Sequence, residues 1–381
     1  MTQSKTMRIP DRKSLTALFR KLIEAESVSG ILLPKKNSAG HVVPTLITDP
    51  EYLQDTEPFV PVLPVSGGRI AKNLTFTGPH KKVVLVCKPC EVKAIVELTK
   101  FEQIKRDRLI LISVDCYGTY EVTTYHSIET EGGNGAAGGQ GYVERGREGN
   151  AAPREPYDFR KACTICNTPA SPPNLVDAHI GFIGIPGEEF ALAVSSEELY
   201  EAISAMETEE LSGETEASRT ALLEELKEKR SAEKTQTIEA FRSEYKSLEK
   251  LQELYSACIR CHNCMVACPI CYCKECIFRS PTFDHSSDMI VGWAERKGAM
   301  RMMENTMMFH LTRMNHMASS CISCGLCSSA CPVDIDVATA FISTGEEIQS
   351  MLEYNAGEDY ESQPPVTAFR EKELDAESGA Q

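Results

Sequence analysis

The sequence has no run of 18 apolar residues, so it offers no candidate membrane span. Its apolar runs, VVLVC at 83–87 and LILISV at 109–114, are the length of strands. No apolar h-region lies in MTQSKTMRIPDRK at the start, so no secretory signal is expected and a cytoplasmic setting is. Basic residues are in the minority: 40 Lys and Arg against 55 Asp and Glu give a formal charge of -15. A nucleic-acid partner is therefore not expected. A basic patch on a protein partner suits such a surface better.

What the chain has in quantity is cysteine, 16 in 381 residues. Disulfides are rare in the cytoplasm, so clustered thiols there point to metal binding or redox chemistry. Residues 258–276 read CIRCHNCMVACPICYCKEC. Cys258, Cys261, Cys264 and Cys268 follow C-x2-C-x2-C-x3-C, with Pro269 next. Cys321, Cys324, Cys327 and Cys331 repeat the pattern, with Pro332 next. This is the bacterial two-cluster ferredoxin run. Three closely spaced thiolates wrap three irons of a cubane from one loop, and the fourth points away to the other cluster. The expected sets are thus Cys258, Cys261, Cys264 with Cys331, and Cys321, Cys324, Cys327 with Cys268. Zinc sites more often show two separated C-x2-C pairs. Residues 269–320 separate the half-motifs and begin with Cys271, Cys273 and Cys276. These three could start a further metal site, with His262, His285 or Cys87 as fourth ligand, or stay reduced thiols beside the clusters.

Upstream, the pattern alternates between strand and helix. DRKSLTALFRKLIEAES at 11–27 reads as a helix with a stripe of Leu15, Leu18, Leu22 and Ile23. Residues 31–47 read as two short strands, 81–100 as strand, turn and helix, 106–118 as a strand, and 179–196 as two more. That alternation predicts an α/β sheet. Strand ends on one sheet edge converge, so a four-cysteine site from Cys90, Cys116, Cys163 and Cys166 is geometrically sensible. The glycine-rich stretch 131–150 reads as a flexible loop or lid. Residues 214–254 read as a charged helical connector whose apolar face is Leu222, Leu226, Ile238, Phe241, Tyr245 and Leu248. The expected divisions are 1–200, an α/β domain; 201–254, the connector; 255–353, a small α-helical, ferredoxin-like iron–sulfur domain; and 354–381, a flexible acidic tail.

The stretches KKVVLVCKPCEVKAIVEL, LILISVDCYGTYE, and CTIC followed by VDAHIGFIG resemble the beta subunit family of coenzyme F-420 hydrogenases and dehydrogenases. The resemblance covers roughly residues 13–195, and the ferredoxin-like halves suit the formate dehydrogenase type. It implies a flavin-type fold for the α/β domain, with FAD beside a 4Fe–4S cluster on Cys90, Cys116, Cys163 and Cys166. The flavin-holding positions would fall on Lys13, Ser14, Lys88 and Glu91. Glu91 replaces the family's usual Gln, Cys87 its preceding Gly, and Arg12, Lys13 and Ser14 its Gly-Gly. The resemblance implies an electron-transfer subunit of an anaerobic oxidoreductase complex. Hydride would be exchanged at FAD with a soluble carrier, coenzyme F-420 or a nicotinamide. Single electrons would run through the clusters to a formate dehydrogenase, hydrogenase or heterodisulfide reductase subunit. The competing expectation is a flavin-less wiring subunit that joins two redox partners.

Overall fold

The computed structural model describes residues 5–78, 80–131, 139–203, 209–283, 285–299 and 305–368. The chain begins with β1 (Lys5–Ile9), α1 (Arg12–Glu24), β2 (Val28–Lys36), β3 (Val42–Ile47) and α2 (Gly67–Phe76). Next come β4 (Lys82–Cys87), α3 (Pro89–Lys100), β5 (Leu109–Val114), α4 (Val122–Glu131), α5 (Gly139–Arg147) and α6 (Lys161–Thr164). Then follow β6 (Ala178–Gly181), β7 (Phe190–Val194), α7 (Glu197–Ile203), β8 (Glu209–Glu210) and the long α8 (Gly213–Glu244). The last part is helical: α9 (Leu248–Tyr255), α10 (Asn263–Ala267), α11 (Ser287–Lys297), α12 (Thr306–Met317), α13 (Leu326–Ser329) and α14 (Val337–Met351).

One mixed sheet runs β3-β2-β4-β5-β6-β7-β1-β8. Strands β2, β4, β5 and β6 are parallel to one another, while β3 and β7 pair antiparallel at either side. Every residue of LILISV in β5 is buried, as is every residue of β4 after Lys82. Continuous apolar runs suit strands covered on both faces. The expected first helix is capped by Asp11, whose carboxylate accepts Ser14 N–H at 2.7 Å, and it buries Leu15, Leu18, Phe19, Leu22 and Ile23.

Two expectations are corrected. The glycine-rich stretch is not a loop throughout: Gly139–Arg147 is helical, while 132–138 lie outside the described residues. A β-carbon on Gly146 would lie 2.4 Å from Phe182 Cε2, so this glycine serves close packing. Tyr142 of the same helix is buried and stacks on Tyr117, ring centroids 3.9 Å apart. The stretch from 354 is also not a free tail as far as it is described. Tyr354 is buried, its hydroxyl donates to Glu97 Oε1 at 2.6 Å, and Gly357 N–H donates to the same oxygen at 2.8 Å. Lys100 completes the buried group 2.7 Å from that carboxylate. Residues 369–381 lie outside the described residues.

The core that holds Leu85, Val92 and Ile95 of the sheet region also contains Tyr255, Phe309, Phe341 and Tyr354. The C-terminal helices therefore share apolar contacts with the face of β4 and α3. No helix among the described residues is long and apolar enough to cross a membrane.

Replacing Tyr354 with Phe removes one donor from a buried carboxylate. The expected loss is about 1.5–3 kcal/mol, the usual worth of a hydrogen bond to a charged group. Chemical denaturation of the full chain measures it; an unchanged midpoint would show that the strap is not anchored through Glu97.

Candidate metal centres

The carboxyl ends of the parallel strands supply the first site. Cys90 lies in the first turn of α3, one turn past the end of β4. Cys116 follows β5 by two residues, and Cys116 N–H donates to Pro169 O at 2.9 Å, which draws in the loop after α6. Cys163 lies in α6 itself and Cys166 in that loop. Burial pushes the Cys116 thiol up to about 11; Lys88 opposes the shift, and the neighbouring Cys163 and Cys166 add to it. Burial also raises the Cys90 thiol, helped by Glu91 and by its neighbours Cys116, Cys324 and Cys166. Burial pushes Cys163 the same way, but Arg160 and Thr119 outweigh it and hold this thiol below its ordinary value. The four sulfurs thus lie within each other's electrostatic reach. Cys87 does not join them: it is buried in the core, and among the described residues the groups that move it are Glu91, Lys88 and Arg106.

Asp115, next to Cys116, is a hub. Its carboxylate accepts Phe182 N–H at 2.7 Å and Ile183 N–H at 2.8 Å, faces His179 Nε2 at 2.8 Å, and pairs with Arg219 through both guanidinium nitrogens at 2.6 and 2.8 Å. Burial pushes the group up, yet Arg219 and His179 hold it well below the carboxylate range. Further along α8, buried Arg230 donates to the carbonyls of Cys163 and Tyr117. Sequence reading missed both arginines, because it sought an apolar face on this helix.

The two ferredoxin-like loops have one backbone conformation. Arg260 and His262 have φ of 55° and 61°, and their counterparts Ser323 and Gly325 have 59° and 73°. Left-handed residues at the same two places curl each loop around its thiols, and a short helix follows each, α10 and α13. Cys264 is pushed up to about 11 by burial, with Arg313 opposing and Cys258, Cys261 and Cys331 adding. In the other loop burial takes Cys321 to about 11 and Cys324 to about 12, and Cys268 is the first thiol neighbour of both. Cys327 is raised by burial and then by Cys324, Cys268 and Cys321. Cys268 lines one cavity with three thiols of the other loop, and the charge of Cys331 acts on Cys258 and Cys264. A tight cavity of about 30 Å³ is lined by Cys268, Cys321, Cys324 and Cys327 together with Ile270, Phe341 and Ile342.

Four sulfur donors around an apolar space fit an iron–sulfur cubane, because thiolates here need a cationic group to offset their burial. Among the described residues no group of three His, Cys, Asp or Glu is placed to hold a single metal ion. A cubane asks for something else, one thiolate at each iron corner. Cys271, Cys273 and Cys276 line a separate open pocket of about 180 Å³ with Arg69, Lys72 and Arg279. Neither histidine proposed as their fourth partner lines it: His262 stacks on Phe309, and His285 packs edge-on to Trp293.

The sequence-predicted flavin positions separate into two groups. Lys88 and Glu91 line a narrow, largely apolar cleft of about 20 Å³ at the ends of β2 and β4; Lys13 and Ser14 do not. Glu91 has both oxygens engaged, accepting Gly67 N–H at 2.6 Å and Lys88 N–H at 2.8 Å. It ties the start of α2 to the start of α3.

The loop with Gly325 docks on the first site. A β-carbon there would lie 2.3 Å from Ala162 Cβ, beside Cys163. Gly325→Ala should destabilise the chain by about 1–3 kcal/mol through overpacking and a strained φ. Adding Ala162→Gly should recover the packing part alone; thermal unfolding of the single and double variants measures the coupling. Additive effects would mean the two loops do not touch.

Residues 253–335 match the family model described as a 4Fe-4S dicluster domain. The chain is 28% identical over 379 residues to the F420-dependent formate dehydrogenase subunit beta of Methanocaldococcus jannaschii, which covers 93% of each chain. It is 27% identical to the F420-dependent formate dehydrogenase 1 subunit beta of Methanococcus maripaludis, over 93% of this chain and 92% of that one. In the F420-reducing [NiFe] hydrogenase complex from Methanosarcina barkeri, a chain aligns with 65% of this one and 93% of its own length, at 14% identity and a TM-score of 0.46. The curated relatives are subunits of an oxidoreductase complex. The resemblance to the beta subunit family of coenzyme F-420 hydrogenases and dehydrogenases, of the formate dehydrogenase type with a C-terminal two-cluster domain, thus holds along nearly the whole chain.

Proposed function

We propose that this chain is the electron-transfer subunit of an F420-dependent formate dehydrogenase or hydrogenase-type complex. The observation that supports the reading is the docking of the Cys321–Cys327 loop beside Cys163, where a β-carbon on Gly325 would lie 2.3 Å from Ala162 Cβ. Twelve cysteines would hold three cubanes: Cys90, Cys116, Cys163, Cys166; Cys268, Cys321, Cys324, Cys327; and Cys258, Cys261, Cys264, Cys331. When bound, the clusters supply one-electron transfer, and FAD would supply conversion between hydride and single electrons. The chain's own groups hold the sulfurs: Arg160 and Thr119 at Cys163, Tyr142 at Cys116, and Arg313 at Cys264.

FAD, and exchange with coenzyme F-420 or a nicotinamide, form the finer part of the proposal. The cleft beside Lys88 leaves about 20 Å³, room for roughly one water, so it would have to open to take a flavin ring. The engaged carboxylate of Glu91, with Lys13 and Ser14 off the cleft, favours the second reading, a flavin-less subunit that wires two partners together. The partner would be a formate dehydrogenase, hydrogenase or heterodisulfide reductase-like subunit in the cytoplasm. The units we assign are 1–200, 201–254 and 255–353, with 354–368 as a strap. A fourth cluster on Cys271, Cys273 and Cys276 is the least supported of these assignments, since no fourth donor lines their pocket among the described residues.

Anaerobically purified full chain should carry about twelve irons, from three four-iron clusters, and one flavin. Eight irons would remove the first set, sixteen would promote Cys271, Cys273 and Cys276, and absent flavin would establish the wiring reading. Paramagnetic resonance of reduced Cys268→Ala and Cys321→Ala should show loss of the same signal. Loss in Cys268→Ala of the signal that depends on Cys258 would overturn the crossed assignment.

A further inference from the structure

Among the described residues three arginines are buried without a carboxylate partner: Arg230, whose donors go to backbone carbonyls, and two that face thiols. Arg160 is 5% exposed and Arg313 4%, and among the described residues no salt bridge involves either. The contrast within the chain is Arg219, equally buried but paired with Asp115. A buried cation needs negative charge or dense hydrogen bonding. Arg160 donates to Thr119 Oγ1 at 2.8 Å, to Cys163 Sγ at 3.5 Å and, on its other side, to Ser329 Oγ at 3.3 Å. Ser329 lies on α13, two residues after Cys327. A carboxylate, Glu121, is reached only through Ser329, whose hydroxyl donates to it at 2.9 Å. Arg313 donates to Cys264 Sγ at 3.1 Å and Cys264 O at 3.2 Å, and its guanidinium lies 4.9 Å over the Phe341 ring.

The positions of the two are what matters. The thiols whose charge Arg160 feels most are Cys163 and Cys90 of the first set and Cys324 of the second. For Arg313 they are Cys264 of the third set, then Cys268 and Cys327 of the second. Arg160 reaches from Cys163 to Ser329 on the helix of Cys327, and Arg313 donates to Cys264 while lining the cavity of Cys268, Cys321, Cys324 and Cys327, so each guanidinium lies between two four-cysteine sets. The sets follow one another in the order first, Cys268–Cys321–Cys324–Cys327, then Cys258–Cys261–Cys264–Cys331.

Resting on the twelve-cysteine reading, we propose that Arg160 and Arg313 are the fixed countercharges of a three-station electron path in that order, each raising the electron affinity of the two sets it lies between. Reduction adds one negative charge to a set. A neighbouring cation in a low-dielectric interior stabilises that charge. A guanidinium stays protonated throughout, so the electron moves with no proton transfer at these residues. Each step takes one electron from one set and adds one to the next. The middle set is flanked by both arginines, so it is stabilised from both sides and does not become an uphill step between its neighbours. Hydrogen bonds to sulfur and local charge are known levers on cluster potential.

The test is a redox titration of the full chain, followed by paramagnetic resonance, for Arg160→Gln, Arg313→Gln and the two lysine variants. Arg313→Gln should lower the midpoints of the second and third sets by about 60 mV, a tenfold change in a one-electron equilibrium, and leave the first alone. Arg160→Gln should lower the first and second and leave the third. The lysine variants, which keep the charge, should move less than half as far. Unchanged midpoints in glutamine variants that keep their iron would overturn the proposal, and so would an equal shift in all three sets. Should a glutamine variant lose its iron, retention in the matching lysine variant supports the role of charge, and loss in both overturns it. Fewer than about twelve irons in the parent protein would instead fail the twelve-cysteine reading, and the arginine comparison stays readable on the sets that remain.

Discussion

The arrangement depends on one rod, the helix Gly213–Glu244, and on the basic residues along one side of it. At 1.5 Å per residue it is about 48 Å long. Arg219 is sunk into the sheet through Asp115. Arg230, three turns on and so on the same side, caps the carbonyls of Cys163 and Cys166. Lys234 pairs with Glu346, and Arg242 donates to Ser343 O at 2.8 Å, both on Val337–Met351. A single helix thus fixes the sheet, the first cysteine set and the C-terminal helices in one frame. Each anchor is specific in direction, as hydrophobic contacts are not, so it sets position as well as stability.

Packing supplies the rest of that frame. The apolar core under β4 and α3 runs on into Tyr255, Phe309 and Phe341, so the cysteine loops rest on the sheet rather than swing from a linker. Phe341 belongs both to this core and to the cavity lined by Cys268, Cys321, Cys324 and Cys327. Close-packed interiors do not deform continuously. A cysteine set seated in this core keeps its distance from the next one.

The cysteine pattern was the most legible part of the chain, because short covalent spacing alone decides which sulfurs share a loop. Strand ends were legible too: buried runs such as LILISV end where Cys116 stands. Much of the remainder depends on contacts distant in sequence. Arg160 and Arg313 read as ordinary charges until the fold buries them, since what partners them lies up to 169 residues away. Glu91 looked like a variant flavin contact but is a cap joining two helices. Gly139–Arg147 looked flexible by composition, yet Gly146 permits close approach to Phe182. The strap at Tyr354 was hidden because its partner, Glu97, has no local signature.

Of the equivalent places at which the two ferredoxin-like loops differ, one tells which of them is docked. The left-handed position after the second cysteine is His262 in one loop and Gly325 in the other. A non-glycine residue there bears a strain of roughly 1 kcal/mol or more. His262 tolerates it because the position is open enough for the ring to stack on Phe309, 4.6 Å away. At Gly325 strain is not the limit: Ala162 stands where a side chain would go. One covalent motif, used twice, therefore gives one loop pressed against the sheet-edge cysteines and one turned outward, with Cys261 exposed. The inner loop meets the first set and the outer loop meets solvent, so the repeat carries a direction that its cysteine spacing does not contain.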